Sequence, residues 1–356
     1  DRSYGEAPAI TDKAVDALVQ PYLDGEIVNA VSIGIVQGNK SRSRHYGQLS
    51  SQSPERPTDQ TVYEIGSIGK VFTGILLAHA VETGRVKLDQ PIGSLMKELQ
   101  EVNKEVGDSI LLQHLATHTS GLPRLPSNMK PARPDPYADY DRKLLTEFMC
   151  QVRPKRKPGV ASEYSNLGAG LLGDLLAAEA GTSYEELLVK NIAQPLAMSN
   201  TRLTLSDDQA RRLAPPHNAD RAPDRNWGFD ALAGAGAIRS TTEDMLRFIQ
   251  ANLDPPTSPL SKAIELAWKQ HLPAKGQAFA MGLGWHIARD GQTRWHNGQT
   301  GGYHSMMLIS RQLDAGVVVL CNTASGKVDA LAESIIQTMA GVNVEPAKFM
   351  KEKKVP

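Results

Sequence analysis

Strand-like apolar runs occur near the two ends of the chain and hardly at all between them, and this distribution constrains the fold most. AVSIGIVQG (30–38) reads as a buried strand, with SRSRHYGQLS as its hairpin partner. In the last third, MGLGWHIAR, QTRWHNG, YHSMMLIS and AGVVVLCN read as successive short antiparallel strands separated by turn residues. TDKAVDALVQPYLDG near the start and residues 328–340 near the end have the periodicity of amphipathic helices. The simplest assembly is an α+β fold. One antiparallel sheet is built from both chain termini and flanked by helices, and a mostly helical region is added on one side. The sheet-containing region is expected over 1–60 and 226–356 and the helical region over 61–225, with one cleft between them as the default place for a site.

Local signals refine the middle. The apolar run VFTGILLAHAV, opening at Ser67 and ending at Gly84, predicts a largely buried helix with a left-handed glycine stop. Capping boxes are expected at Thr182 with Glu185 and at Ser240 with Glu243. Residues 123–140 are rich in proline and polar residues and read as an irregular loop lying over something.

Lys+Arg and Asp+Glu both total 39 in 356 residues, and this balance points to neither nucleic acid nor an anionic membrane as partner. No apolar run is long enough to span a bilayer. The two cysteines, Cys150 and Cys321, are read as buried free thiols, with a disulfide as the alternative. The chain begins DRSYGEAP, without a charged-then-apolar leader, so a signal peptide removed or a chain trimmed is expected.

Three short motifs could carry chemistry. In GSIGK, Ser67 and Lys70 stand three apart, which puts both on one face of a helix. A serine at a helix N-terminus sits where developing negative charge is favoured, and a lysine becomes a base when burial lowers its pKa. The bland reading is a serine cap and a solvated lysine. Tyr164-Ser165-Asn166 lies between a Pro-Gly loop and a buried helix. Its tyrosine could relay a proton and its amide could hold a lysine and a substrate carbonyl, or the two could simply pack and cap. His296-Asn297-Gly298, followed by QTGGYHS, is either a strand along which a substrate lies or a hairpin with a surface histidine.

In this order, S-x-x-K, Y-S-N and H-N-G resemble the serine β-lactamase and penicillin-binding-protein superfamily. The tyrosine of the second motif points to its class C branch and the related D-Ala-D-Ala peptidases and esterases. LLQHLATHTSGLP, PGVASEYSNLGAGLLGDLLAAEAG and AGAIRSTTEDMLRFIQANL extend the likeness over roughly residues 30–325. The resemblance implies a serine hydrolase acting through an acyl-enzyme on β-lactam or D-alanyl peptide amides, without cofactor or metal, in the periplasm or secreted. It implies that Ser67 is the nucleophile, Lys70 its base, Tyr164 the second acid/base and Asn166 the group that positions Lys70 and the substrate amide. His296, Gly298, Tyr303 and His304 would line the substrate. The oxyanion hole would combine the Ser67 N–H with an N–H near Tyr303 or His304.

Two departures stand out. Class C β-lactamases usually carry Lys-Thr-Gly where this chain has His296-Asn297-Gly298, so His296 is expected to offer only a pH-dependent cation to a substrate carboxylate. The glutamine that follows the GLP loop in that class is not evident, and Leu125 stands near that point. Both point away from efficient β-lactam turnover. The alternatives are a short-chain carboxylesterase and a sensor that acylates without turnover. His114 and His118, four apart, could form half of a zinc site, but Leu115 replaces the glutamate of H-E-x-x-H. No G-x-S-x-G is present, which disfavours an α/β-hydrolase elbow. Lys155-Arg156-Lys157 reads as a solvated loop or a contact to an anionic cell-wall polymer.

Overall fold

A computed structural model describes residues 9–130 and 135–349. Residues 131–134, within the predicted loop 123–140, and residues 1–8, on which the expectation about a leader bears, lie outside them. β1 (Ala30–Gln37), β2 (Lys40–Gly47), β5 (Ala280–Met281), β6 (His286–Ile287), β7 (Thr293–Gln299), β8 (His304–Ser310) and β9 (Ala315–Cys321) form one antiparallel sheet in the order β2-β1-β9-β8-β7-β6-β5. The two ends of the chain therefore meet at its centre, where Ile33 pairs with Val319 and Val31 with Cys321.

The apolar runs are continuous because the sheet is covered on both faces. Val31, Ile33 and Ile35 of β1 and Val317, Val319 and Cys321 of β9 point into a core closed by the helices Asp12–Asp24 and Val328–Met339. The alternate residues Val36, Val318, Leu320, Met307 and Ile309 join the larger core shared with the helical region. A strand's side chains alternate between faces, so each face collects every second residue. Each fully buried Val, Ile or Leu contributes about 1.5–3 kcal/mol of apolar burial. Cys321 and the half-buried Cys150 are free thiols.

A two-stranded ribbon of β3 (Val62–Glu64) and β4 (Arg239–Thr241) leads into the turn that carries Ser67. From there the helix Gly69–Glu82 runs through the larger core, with Phe72 stacked on Phe248 at 4.2 Å. Gly84 follows it at φ +72°, as its position in the sequence predicts.

The first predicted capping box shifts by one residue, and the second is replaced by a simple side-chain cap one residue later. Ser183 accepts from Glu186 N at 3.1 Å, and the Glu186 carboxylate accepts from Ser183 N at 3.0 Å. Glu185 turns instead to the N–H groups of Leu203 and Thr204. Thr241 caps the helix Thr242–Leu253 through Asp244 N, while Ser240 is a buried strand residue bonded to Thr201 at 2.8 Å. A single-residue ambiguity among adjacent Ser and Thr is resolved by where the preceding strand or turn ends, and this is set by tertiary pairing. Among the described residues no helix is long and apolar enough to cross a membrane.

Candidate active site

Ser67 lies in a single 3₁₀ turn, Gly66–Ile68, immediately before the helix Gly69–Glu82. It is half-buried at the floor of a cavity of about 920 Å³. Lys70, one turn further on, is 2 % exposed. Its Nζ is 2.8 Å from Ser67 Oγ and donates to Ala235 O at 2.7 Å. Burial holds the Lys70 pKa well below its ordinary value, and the nearby Arg124 guanidinium pushes it the same way. The i, i+3 spacing thus delivers a lysine amine to a serine hydroxyl, in a setting that favours the neutral amine.

Tyr164 faces the same serine. Burial pushes its phenol up to about 12, partly opposed by a hydrogen bond with Ser67 and by the Arg124 charge, so at neutral pH it is a protonated phenol. Lys70 Nζ and Arg124 Cζ each lie 4.9 Å from its ring centroid. His118 lies against it at 4.5 Å and accepts from Ser165 N at 3.1 Å. That contact ties the HLATHTSG segment to the Tyr-Ser-Asn motif. The helix around His114 ends at Ala116, and His118 has φ +57°, so the i, i+4 face on which half a zinc site depends does not form. His114 accepts from Leu111 N instead.

Asn166 is brought to the cavity but not to Lys70. Its Nδ2 donates to Tyr137 Oη at 3.0 Å, and its buried Oδ1 has no partner. Ser165, not Asn166, caps the following helix, accepting from Gly168 N.

The third motif requires correction. His296 is fully buried in β7 and does not line the cavity. Its Nδ1 donates to Asn297 O at 2.6 Å, which leaves Nε2 as a buried nitrogen without a partner. Burial, then the neighbouring His286 and Lys70, hold its pKa well below the ordinary histidine value, so it is not a cation for a carboxylate near neutral pH. Tyr303 is also fully buried. Its hydroxyl donates to Ala214 O and accepts from Asn226 Nδ2, far from any role along the substrate. His304 does border the cavity, with both ring nitrogens engaged, by Gln299 Oε1 at 2.9 Å and Asp329 Oδ1 at 2.7 Å.

The backbone beside Ser67 belongs to β7 and not to β8. Thr300 N bonds across the hairpin to Tyr303 O, so by antiparallel alternation the Gln299 N–H points away from β8. It points at the Ser67 turn: a Cβ on Gly66 (φ +51°) would lie 2.6 Å from Gln299 N. A Cβ on Gly298 would collide with Ile65 O and lie 2.8 Å from Ser67 N. Gly298 is required because this strand and the Ser67 turn touch backbone to backbone.

The motifs did not disclose several contributors: the Ala235 carbonyl, Gln299 N, Arg124, His286 and the aromatic walls. Tyr137, Trp227 and Phe229 form one cluster of rings in the cavity lining, and Phe279, His286 and Trp295 form another. The proline-rich loop, read as lying over something, supplies Arg124, Leu125, Pro136 and Tyr137 to the cavity lining.

Residues 15–338 match the family described as Beta-lactamase. The chain belongs to the β-lactamase family. It is 28% identical over 328 residues to the D-alanyl-D-alanine-carboxypeptidase/endopeptidase AmpH of Escherichia coli (strain K12), covering 88% of this chain and 84% of the relative. A β-lactamase of Yersinia enterocolitica is 28% identical over 278 residues, 77% of this chain and 68% of that one. Among solved structures, a class C β-lactamase superposes with a TM-score of 0.82 at 22% identity, covering 94% of this chain and 99% of the other. A β-lactamase/D-alanine carboxypeptidase from Pseudomonas syringae gives 0.79 at 24% identity, covering 91% and 99%. The α+β arrangement expected from the strand distribution is the fold of this family, and the enzyme is a serine hydrolase.

Proposed function

We propose that Ser67 is acylated by D-alanyl peptide amides or β-lactams and that water then releases the acyl group. The observation that carries this reading is the 2.8 Å approach of a buried Lys70 amine to Ser67 Oγ, with the Tyr164 phenol facing the same oxygen. Neutral Lys70 takes the hydroxyl proton as Oγ bonds to the carbonyl carbon. The negative charge on the carbonyl oxygen meets the N–H groups of Ser67 and Gln299. The C–N bond then breaks, and the leaving nitrogen takes a proton from Tyr164, which Lys70 replaces. The net transfer is one proton from serine to amine, and both bases return to their starting forms. Deacylation runs the same path with water in place of the amine. Asn166, whose Oδ1 is unpaired at the cavity wall, is suited to accept from the substrate's amide N–H. Gly298 leaves room for the strand that supplies the second oxyanion donor, and His304 anchors Gln299 through its side chain.

The likeness to AmpH and to β-lactamases supports this substrate class, and with such substrates we propose that the enzyme works in the periplasm or outside the cell. A short ester at the same serine is the second reading, favoured by the aromatic walls of the cavity. The test is covalent labelling by a fluorescent penicillin and by a fluorophosphonate, with release of D-alanine from a D-Ala-D-Ala peptide followed in parallel. Ser67→Ala is expected to lose all labelling. Labelling that survives in this variant overturns the acyl-enzyme reading, and ester turnover without D-alanine release selects the second.

A further inference from the structure

Among the described residues lining the cavity, Arg124 is the only Lys, Arg, Asp or Glu. Its guanidinium is exposed and has no ion-pair partner there, although most other arginines of the molecule sit on a carboxylate or a carbonyl. It is held in place, because its own carbonyl accepts from both Asn166 N and Leu167 N, fixing its backbone to the start of the helix Asn166–Ala180. Its Cζ lies 4.9 Å from the Tyr164 ring centroid. The cation therefore stands beside the group that protonates the leaving atom, and no carboxylate of the cavity wall neutralises it.

We infer that Arg124 recognises an anionic group, a carboxylate, on the leaving half of the substrate, and so determines which substrates are cleaved. The inference rests on the acyl-enzyme reading above. The buried His296 is not placed to meet a carboxylate, and Arg124, also against the Tyr164 ring, is an exposed cation at the cavity. Arginine suits this role because its planar fork can take both carboxylate oxygens and its charge does not titrate near neutral pH. The occupant expected next to it is the terminal carboxylate of a departing amino acid, or the equivalent carboxylate of a cyclic amide.

Two aryl esters of phenylacetic acid test this. One leaving phenol carries a meta-carboxylate and the other a neutral meta-carboxamide. The wild-type enzyme is expected to prefer the carboxylate ester in kcat/KM by about tenfold or more, the scale of one charge-assisted hydrogen-bonded contact. Arg124→Gln should bring that ratio close to one, Arg124→Glu should invert it, and Arg124→Lys should keep part of it. For the wild type, added salt should slow the carboxylate ester more than the carboxamide, a measurement that does not depend on any variant folding. A ratio unchanged in Arg124→Gln overturns the inference. So does an equal loss on both esters, which would make Arg124 only a support for Tyr164. Fluorophosphonate labelling of wild type and Ser67→Ala separates the two claims. Loss of labelling in Ser67→Ala with an unchanged ester ratio sinks Arg124 alone, whereas labelling that persists sinks the acyl-enzyme reading itself.

Discussion

The turn at Ser67 and the strand at His296 both bury a nitrogen base beside Tyr164, and they behave differently. Lys70 has two partners, a serine hydroxyl and a backbone carbonyl, and burial lowers its pKa, favouring the neutral amine beside the serine hydroxyl. His296 is equally buried, but its one hydrogen bond goes to the adjacent carbonyl and its other nitrogen faces no partner. The same desolvation therefore activates one residue and silences the other as a cation. A buried base contributes to chemistry when its lone pair is aimed at the reacting group. Burial alone only removes the charge.

The largest expected effect falls on the Lys70 side. Lys70→Ala should lower the rate of acylation by about two orders of magnitude or more, read as kcat/KM or as the fluorophosphonate labelling rate. A loss of only a few-fold would return Lys70 to a packing role and erase the contrast. Next comes the contact between the two regions. Gly298→Ala drives a methyl into Ile65 O and toward Ser67 N, so it should cost about 1–3 kcal/mol of stability in denaturant unfolding and slow labelling about tenfold. Wild-type behaviour in both would mean that β7 and the nucleophile turn are looser than their packing indicates.

A third test uses pH. Lys70 must be unprotonated to act, so the labelling rate should rise with pH through a pKa well below that of an ordinary lysine. The Arg124 charge helps to hold that pKa down, and removing it raises the pKa. The rising limb should therefore move to higher pH in Arg124→Gln. A shift to lower pH, or none, would leave burial as the sole cause. The smallest effect is expected at Tyr303. Tyr303→Phe removes a donor from Ala214 O and an acceptor from Asn226, a loss of about 1–3 kcal/mol in stability. Its substrate preference should match wild type, and a changed preference would restore the residue to the site.

Legibility differed along the same divide. Ser67 and Lys70 were readable because their relation is local: three residues on a helix share a face wherever that helix sits. Tyr164 was readable only with its motif, and the meeting of Tyr164 with Ser67 is a long-range fact. The expectation of an oxyanion N–H near Tyr303 or His304 failed on register, although His304 does border the cavity. An N–H alternates in direction along a strand, so assigning the donor to β8 and not to β7 exchanged a substrate-facing backbone for a core tyrosine. Arg124 left no periodic or motif signal, because one arginine after a Gly-Leu-Pro turn is unremarkable until the loop is seen to close over the cavity.

The sequence by itself determined that strands from both ends form one antiparallel sheet and that a buried helix follows Ser67, and its motif order, through a family resemblance, pointed to Ser67, Lys70 and Tyr164 as one candidate site. Each rests on periodicity, spacing or motif order, which are properties of the chain. Only the tertiary structure decided that His296 is a core residue whose burial disfavours its charged form, that Gln299 presents its N–H to the Ser67 turn, and that Arg124 stands over Tyr164 as the one charge without an ion-pair partner among the described residues lining the cavity. These depend on desolvation, strand register and the approach of distant loops, and none of the three is encoded within the few residues around the group concerned.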